Sequence, residues 1–159
     1  MQPFICENNF YSVYSPLSVR QPKDRSIAKL AAAIGLKTET GDGNNVLEAF
    51  QIVKRSVDWV RKGTGPMFIE FFTYRLREHC GPNYDNDLGY RTQAEVAEWE
   101  KRDPIKYIEC KIKEGDPESW ADMESIRIEV NEEIDRVFKQ VQQDPFPNSE
   151  DIYKDIYAL

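Results

Sequence analysis

The residues best suited to chemistry lie in two polar stretches, each directly behind an apolar run. The first is Glu7-Asn8-Asn9-Phe10-Tyr11, which sets two carboxamides just beyond a short strand expected over residues 2–6. The second begins at Arg75 and runs through Arg77, Glu78 and His79, the only histidine of the chain, into a Gly, Pro, Asn and Asp segment too polar for a core. Residues 67–72 precede it and are almost continuously apolar, as suits a strand covered on both faces of a parallel sheet. Ligands of open α/β sheets sit outside the carboxyl ends of strands, so His79 is placed to meet one. The competing reading is a surface histidine in a turn.

The elements that must position these groups alternate. Helical spacing starts near Asp24, with Ile27, Leu30, Ala31 and Ile34 on one face and Gly35 as the stop. A short strand over 36–40 follows. Asn45 with Glu48 resembles a capping box and opens a helix on which Val46, Phe50, Val53, Val57 and Val60 recur at helical spacing. Residues 14–22 carry two prolines and no period, and read as a loop. Thr92 and Glu95 form a second capping pair, while Asp103-Pro104 and Asp116-Pro117 each start a further helix. In the last of these Trp120, Met123, Ile126, Val130, Ile134, Val137 and Val141 form an apolar stripe. A tail from Pro145 holds Ile152, Tyr153, Ile156 and Tyr157, suited to docking on another subunit. The strand and helix order predicts α/β architecture, a parallel sheet with flanking helices, plus a helical C-terminal extension. The expected organisation is an α/β domain over 1–92, a helical extension over 93–144 and a tail over 145–159.

Composition removes several function classes. The 159 residues suit one domain, and a net charge of -7 without any basic run interleaved with aromatics argues against nucleic acid as a partner. No apolar run approaches a membrane span and the first residues lack signal-peptide character, so a cytoplasmic protein is expected. Three cysteines without Cys-x-x-Cys spacing indicate neither a disulfide framework nor a zinc site.

Phe4-Ile-Cys-Glu-Asn-Asn-Phe-Tyr11, together with Gly63-Thr-Gly-Pro-Met-Phe-Ile-Glu-Phe-Phe-Thr-Tyr-Arg75, His79, Tyr90-Arg91 and Arg102-Asp-Pro-Ile105, resembles the alpha subunit of the thiamine-diphosphate-dependent 2-oxo acid dehydrogenases. These include the first components of the pyruvate, branched-chain and acetoin dehydrogenases. The resemblance implies the C-terminal half of a thiamine-diphosphate-binding fold. It implies that Asn9 is an Mg²⁺ ligand through its side chain, that Tyr11 offers a main-chain carbonyl to the same ion, and that Mg²⁺ bridges the diphosphate. Hard oxygen donors suit that cation. His79 matches the histidine of a loop that closes over the cofactor, where it bonds phosphate or stabilises charge, and Arg75 matches the arginine that anchors this loop. Two departures stand out: Arg77 occupies the place of a second histidine, and Cys80 that of a serine phosphorylated in mitochondrial members, so that control is not expected.

The resemblance also implies partners: a beta chain carrying the pyrimidine site in a heterotetramer, a lipoyl-bearing acyltransferase and a 2-oxo acid. The family's Gly-Asp-Gly, which supplies the second metal ligand, has no counterpart in the eight residues before Asn9. The Gly41-Asp-Gly-Asn-Asn45 loop imitates it but brings both ligand types from one loop, with Asn45 committed to capping. The expectation is therefore a fragment, inactive alone and completed by an N-terminal half. A carboligase or sugar-pathway enzyme using the same cofactor, and a noncatalytic interaction module, are the alternatives.

Overall fold

A computed structural model describes residues 2–157. Two compact units divide the chain, one reaching Lys111 and the other starting at Ile112. The first holds a parallel sheet of β1 (Pro3–Asn8), β4 (Lys37–Asp42) and β5 (Met67–Phe72) in the order β1-β5-β4. β2 (Tyr11–Ser12) and β3 (Ser15–Pro16) form a small antiparallel hairpin, followed by a single helical turn, α1 (Leu17–Arg20). The stretch expected to be a plain loop thus folds back on itself. Val13 makes the turn with a φ of 55°, a conformation that short sequence signals do not announce for a β-branched residue.

β5 is the central strand, as its apolar run foretold, and its side chains alternate between the two faces. Ile69 and Phe71 pack with Ile52 of α3 (Val46–Arg61) on one side. Glu70 points to the other, where the backbone N–H of Ala28 in α2 (Ile27–Ala33) donates to it. Both helices turn inward faces that coincide only in part with those the spacing suggests, at Ala31 and at Val53, which packs on the core. In α2 the buried residues are Ala28 and Ala31, while Leu30 and Ile34 are exposed; in α3 they are Ile52 and Ser56, while Val46 and Phe50 are exposed. Alanine lets the α2 backbone come within hydrogen-bond reach of the strand. The hydroxyl of Ser56 is satisfied by donating to the Ile52 carbonyl at 2.8 Å, so a polar residue can sit in the interface.

Gly41 and Gly43 exist for close approach. A Cβ on Gly41 would lie 2.3 Å from Ile52 Cδ1, and one on Gly43 would press on the Phe72 carbonyl and Thr73 at 3.1 Å. The loop they flank is a joint. Asn44 donates to the Arg102 carbonyl and accepts from the Thr73 hydroxyl, each at 2.8 Å, and Asn45 caps α3 by accepting from the Glu48 N–H.

α4 (Gln93–Glu100) and the start of α5 (Pro104–Gly115) complete the first unit, with Thr92 and Asp103 capping as their spacing predicts. The second unit holds the end of α5, the 25-residue α6 (Pro117–Val141) capped by Asp116, and a 3₁₀ turn over Ser149–Tyr153. None of the residues of α6 is buried.

Candidate functional site

The carboxyl ends of the three parallel strands fall together, at Asn8, Asp42 and Phe72, which share one register level. β1 is an edge strand, so the turn that leaves it opens onto an unpaired sheet margin. Phe4 and Ile5 on that strand are about half exposed, at 47% and 51%.

The turn itself is shaped by two consecutive carboxamides. Asn8 Oδ1 accepts from the Phe10 N–H and Asn9 Oδ1 from the Tyr11 N–H, each at 3.1 Å. Phe10 is thereby held at a φ of 64°, uncommon for a bulky residue and of the kind that collects at functional sites. Its ring stacks on Phe72 and leans on Trp99. The Leu17 N–H donates to the Phe10 carbonyl at 2.7 Å, which makes Tyr11 and Pro16 the non-hydrogen-bonded pair of the hairpin. The Tyr11 carbonyl therefore faces away from β3. Asn9 Oδ1, accepting only from the Tyr11 N–H among the described residues, retains a second lone pair. Among the described residues no cluster of His, Cys, Asp or Glu could hold a metal ion.

Tyr11 also anchors the site through its side chain. Its hydroxyl donates to Glu95 Oε1 at 2.7 Å, which diverts that carboxylate from the capping box expected with Thr92. Burial first, and then this carboxylate, push the Tyr11 phenol well above the usual tyrosine range. Tyr11 meets Tyr74 and Tyr90 edge-on, and Tyr74 stacks flat on Trp99 at 5.1 Å.

Arg75 ties this hairpin to the second polar stretch. It donates to the Val13 carbonyl at 3.0 Å and to the Arg77 carbonyl at 2.6 Å, and reaches Asp85 at 3.7 Å. Asp85 is buried and pairs with the equally buried Arg91 at 2.6 Å, while the Tyr90 hydroxyl donates to its other oxygen at 2.9 Å. Arg91 reaches back to the carbonyls of Arg75 and Leu76. The loop closes on itself a second time at its tip. There Glu78 accepts from Asn83, and Arg77 donates to the Pro82 carbonyl and lies over the Tyr84 ring. Few apolar anchors are present, as composition indicates, but polar ties take their place.

Asn9, Tyr11 and Arg75 are thus joined through one hairpin. His79 is exposed and has no hydrogen bond or ion pair among the described residues. A cavity of about 370 Å³ at the sheet's carboxyl end is lined by Ile5, Glu7, Gly43, Ala49, Phe71 and Thr73; none of the four candidate residues lines it.

Residues 3–150 match the family described as dehydrogenase E1 component. The chain belongs to that family. It is 31% identical over 155 residues to the pyruvate dehydrogenase E1 component subunit alpha of Rickettsia bellii, covering 98% of this chain and 46% of that protein. The 2-oxoisovalerate dehydrogenase subunit alpha of Bacillus subtilis is 32% identical over 159 residues, again with 98% and 46% covered. The pyruvate dehydrogenase subunit of Staphylococcus aureus is 37% identical over 112 residues, or 68% of this chain and 30% of that protein. This E1-family chain spans about half the length of the first two relatives. Its α/β sheet β1-β5-β4 with flanking helices is a partial E1 fold. No helix among the described residues is long and apolar enough to cross a membrane.

Residues to which the sequence reading gave no role at the site carry much of it. Glu70, Asp85, Glu95 and Trp99 hold it together. Glu70 had a signal in the sequence, being the one charge inside an otherwise apolar strand.

Proposed function

We propose that this chain forms part of the alpha subunit of a thiamine-diphosphate-dependent 2-oxo acid dehydrogenase, working with a beta chain and passing its acyl product to a lipoyl-bearing acyltransferase. The observation that carries the reading is the turn behind β1. There the Asn9 side-chain oxygen and the Tyr11 main-chain carbonyl form an all-oxygen, uncharged donor pair at the carboxyl end of a parallel sheet. Such donors fit Mg²⁺ bound to a diphosphate, since a hard cation takes oxygen ligands and the phosphates bring the negative charge. When bound, thiamine diphosphate supplies the nucleophilic carbon that decarboxylates a 2-oxo acid.

The residues of this chain then have separate tasks. Asn9 and Tyr11 hold the metal; Arg75 fixes the hairpin that carries them to the loop that carries His79. His79, free of other partners among the described residues, bonds a phosphate oxygen or stabilises charge at the reacting centre when the loop closes. Arg77 and Cys80 stand outside this work, Arg77 because Tyr84 and Pro82 occupy it. In this reading a further metal ligand and the pyrimidine site come from an N-terminal half and a beta chain, and activity needs the assembly.

Calorimetry tests this reading. The chain alone should bind thiamine diphosphate weakly with or without Mg²⁺, and an assembly with an alpha N-terminal half and a beta chain should bind it tightly only with Mg²⁺. Tight binding by the chain alone, or Mg²⁺-independent binding by the assembly, would overturn it.

A further inference from the structure

Glu70 is 1% exposed, and both of its carboxylate oxygens are engaged. Oε2 accepts from the Ala28 N–H at 2.8 Å, within the first turn of α2. Oε1 accepts from Asn8 Nδ2, also at 2.8 Å. Asn8 is itself buried, and its remaining carboxamide oxygen takes the Phe10 N–H. Three elements distant in sequence are therefore connected in series: helix N–H to carboxylate, carboxylate to carboxamide, carboxamide to the one residue of the turn held at positive φ. A buried carboxylate can only accept, so it leaves Asn8 a single orientation, with the amide toward Glu70 and the oxygen toward Phe10. Without that constraint only the Phe10 N–H favours the orientation that supports the turn.

We propose that Glu70 is a positioning residue: through Asn8 it locks Phe10 in its left-handed conformation and so sets where Asn9 Oδ1 and the Tyr11 carbonyl point. The proposal rests on the assignment of those two oxygens to a diphosphate-bound metal. The role is polar matching, not charge as such, and it can be inverted. Glu70→Gln keeps one acceptor for Ala28 but turns an NH₂ toward the Asn8 NH₂. If Asn8 flips to meet it, a donor faces the Phe10 N–H instead. Adding Asn8→Asp restores every pairing. The new amide at position 70 donates to one oxygen of the new carboxylate at position 8, and the other oxygen takes the Phe10 N–H.

The test uses the full chain labelled with ¹⁵N. Hydrogen exchange at the Phe10 amide reports the turn, and paramagnetic broadening of the Asn9 and Tyr11 amides by Mn²⁺ with inorganic pyrophosphate reports the metal donors, even at weak occupancy. Loss of one such hydrogen bond should cut Phe10 protection about tenfold in Glu70→Gln. Broadening should weaken in parallel, and the double variant Glu70→Gln/Asn8→Asp should recover both. A purely structural role would lower the unfolding midpoint while leaving the broadening pattern unmoved. Broadening that survives unchanged in Glu70→Gln overturns the positioning role alone, and its absence from the wild-type chain overturns the metal assignment and the role with it. Should Glu70→Gln fail to fold, the double variant decides: folded with Phe10 protected supports the proposal, while unfolded, or folded with Phe10 unprotected, overturns it.

Discussion

Arg75 holds Val13 from 62 positions away: its guanidinium donates to the Val13 carbonyl at 3.0 Å, and Val13 is one of the non-glycine residues at positive φ. The turn between β2 and β3 is strained at Val13, and Arg75 fixes it there. The same side chain reaches the Tyr90 hydroxyl at 3.4 Å. One residue therefore braces both polar stretches.

Arg75→Ala should cost stability by about 1.5–3 kcal/mol, the usual worth of a hydrogen bond to a charged group. Val13→Gly in the same background should return part of it, because glycine carries the positive φ without strain. Urea unfolding of the variants measures both, and an unchanged midpoint in Arg75→Ala would remove the brace from the account.

The pair Arg91 and Asp85 is buried on both sides, with side-chain exposures of 1% and 3%. Removing one partner leaves the other charge buried, so Arg91→Met or Asp85→Leu should each cost about 3–5 kcal/mol, with the combined change costing less than the sum. A double-mutant cycle by chemical denaturation checks this.

Alkaline pH should destabilise the first unit over a defined window. Burial pushes the Tyr74 phenol up to about 12, and the Tyr11 and Tyr90 phenols are raised as well. A raised folded-state value means that the neutral phenol is favoured in the fold. That stability is complete below the unfolded value of about 10 and is lost as pH rises towards the folded one. Unfolding midpoints should fall between about pH 10 and 12, with ultraviolet titration showing late-ionising tyrosines. The Tyr74 hydroxyl is buried and has no hydrogen-bond partner among the described residues. Tyr74→Phe should accordingly change stability at neutral pH by less than about 1 kcal/mol while removing one late titration.

In an assembly that supplies the other half and a beta chain, Asn9→Ala and His79→Ala should fail differently. On the proposed assignment, losing Asn9 raises the cofactor concentration needed, and losing His79 lowers turnover with cofactor saturating. Steady-state kinetics against thiamine diphosphate separates the two; wild-type kinetics in both variants would undo the assignment.

Residues 75–91 should become protected from limited proteolysis when thiamine diphosphate and Mg²⁺ are added to that assembly. The loop has its own polar ties, but His79 has no partner among the described residues, and on the proposed assignment a diphosphate beside it adds charge-assisted hydrogen bonds that the free loop does without. Equal cutting with and without ligand would count against closure.

What could be read directly from the sequence is what local chemistry decides. Asn45, Thr92, Asp103 and Asp116 accept helix N–H groups two or three residues ahead, so spacing alone places their helices. The apolar run of β5 announced a strand covered on both faces, and the ordered series of motifs announced the family. Which faces of α2 and α3 turn inward was legible only in part, at Ala31 and Val53, because Ala28 and Ser56 are selected by the distance to the sheet and by a carbonyl within reach, not by hydropathy. Asn45 with Glu48 and Thr92 with Glu95 looked like reciprocal caps. Folding gives the two carboxylates other donors, the Asp42 N–H and the Tyr11 hydroxyl. The links that shape the turn behind β1 cross 42 and 62 positions at Glu70 and 62 at Arg75. A lone charge in an apolar strand signals that a partner must exist, since a buried carboxylate is tolerated only when its oxygens are satisfied. Only the packed tertiary structure, which sets Ala28 and Asn8 on either side of it, decides which partners those are.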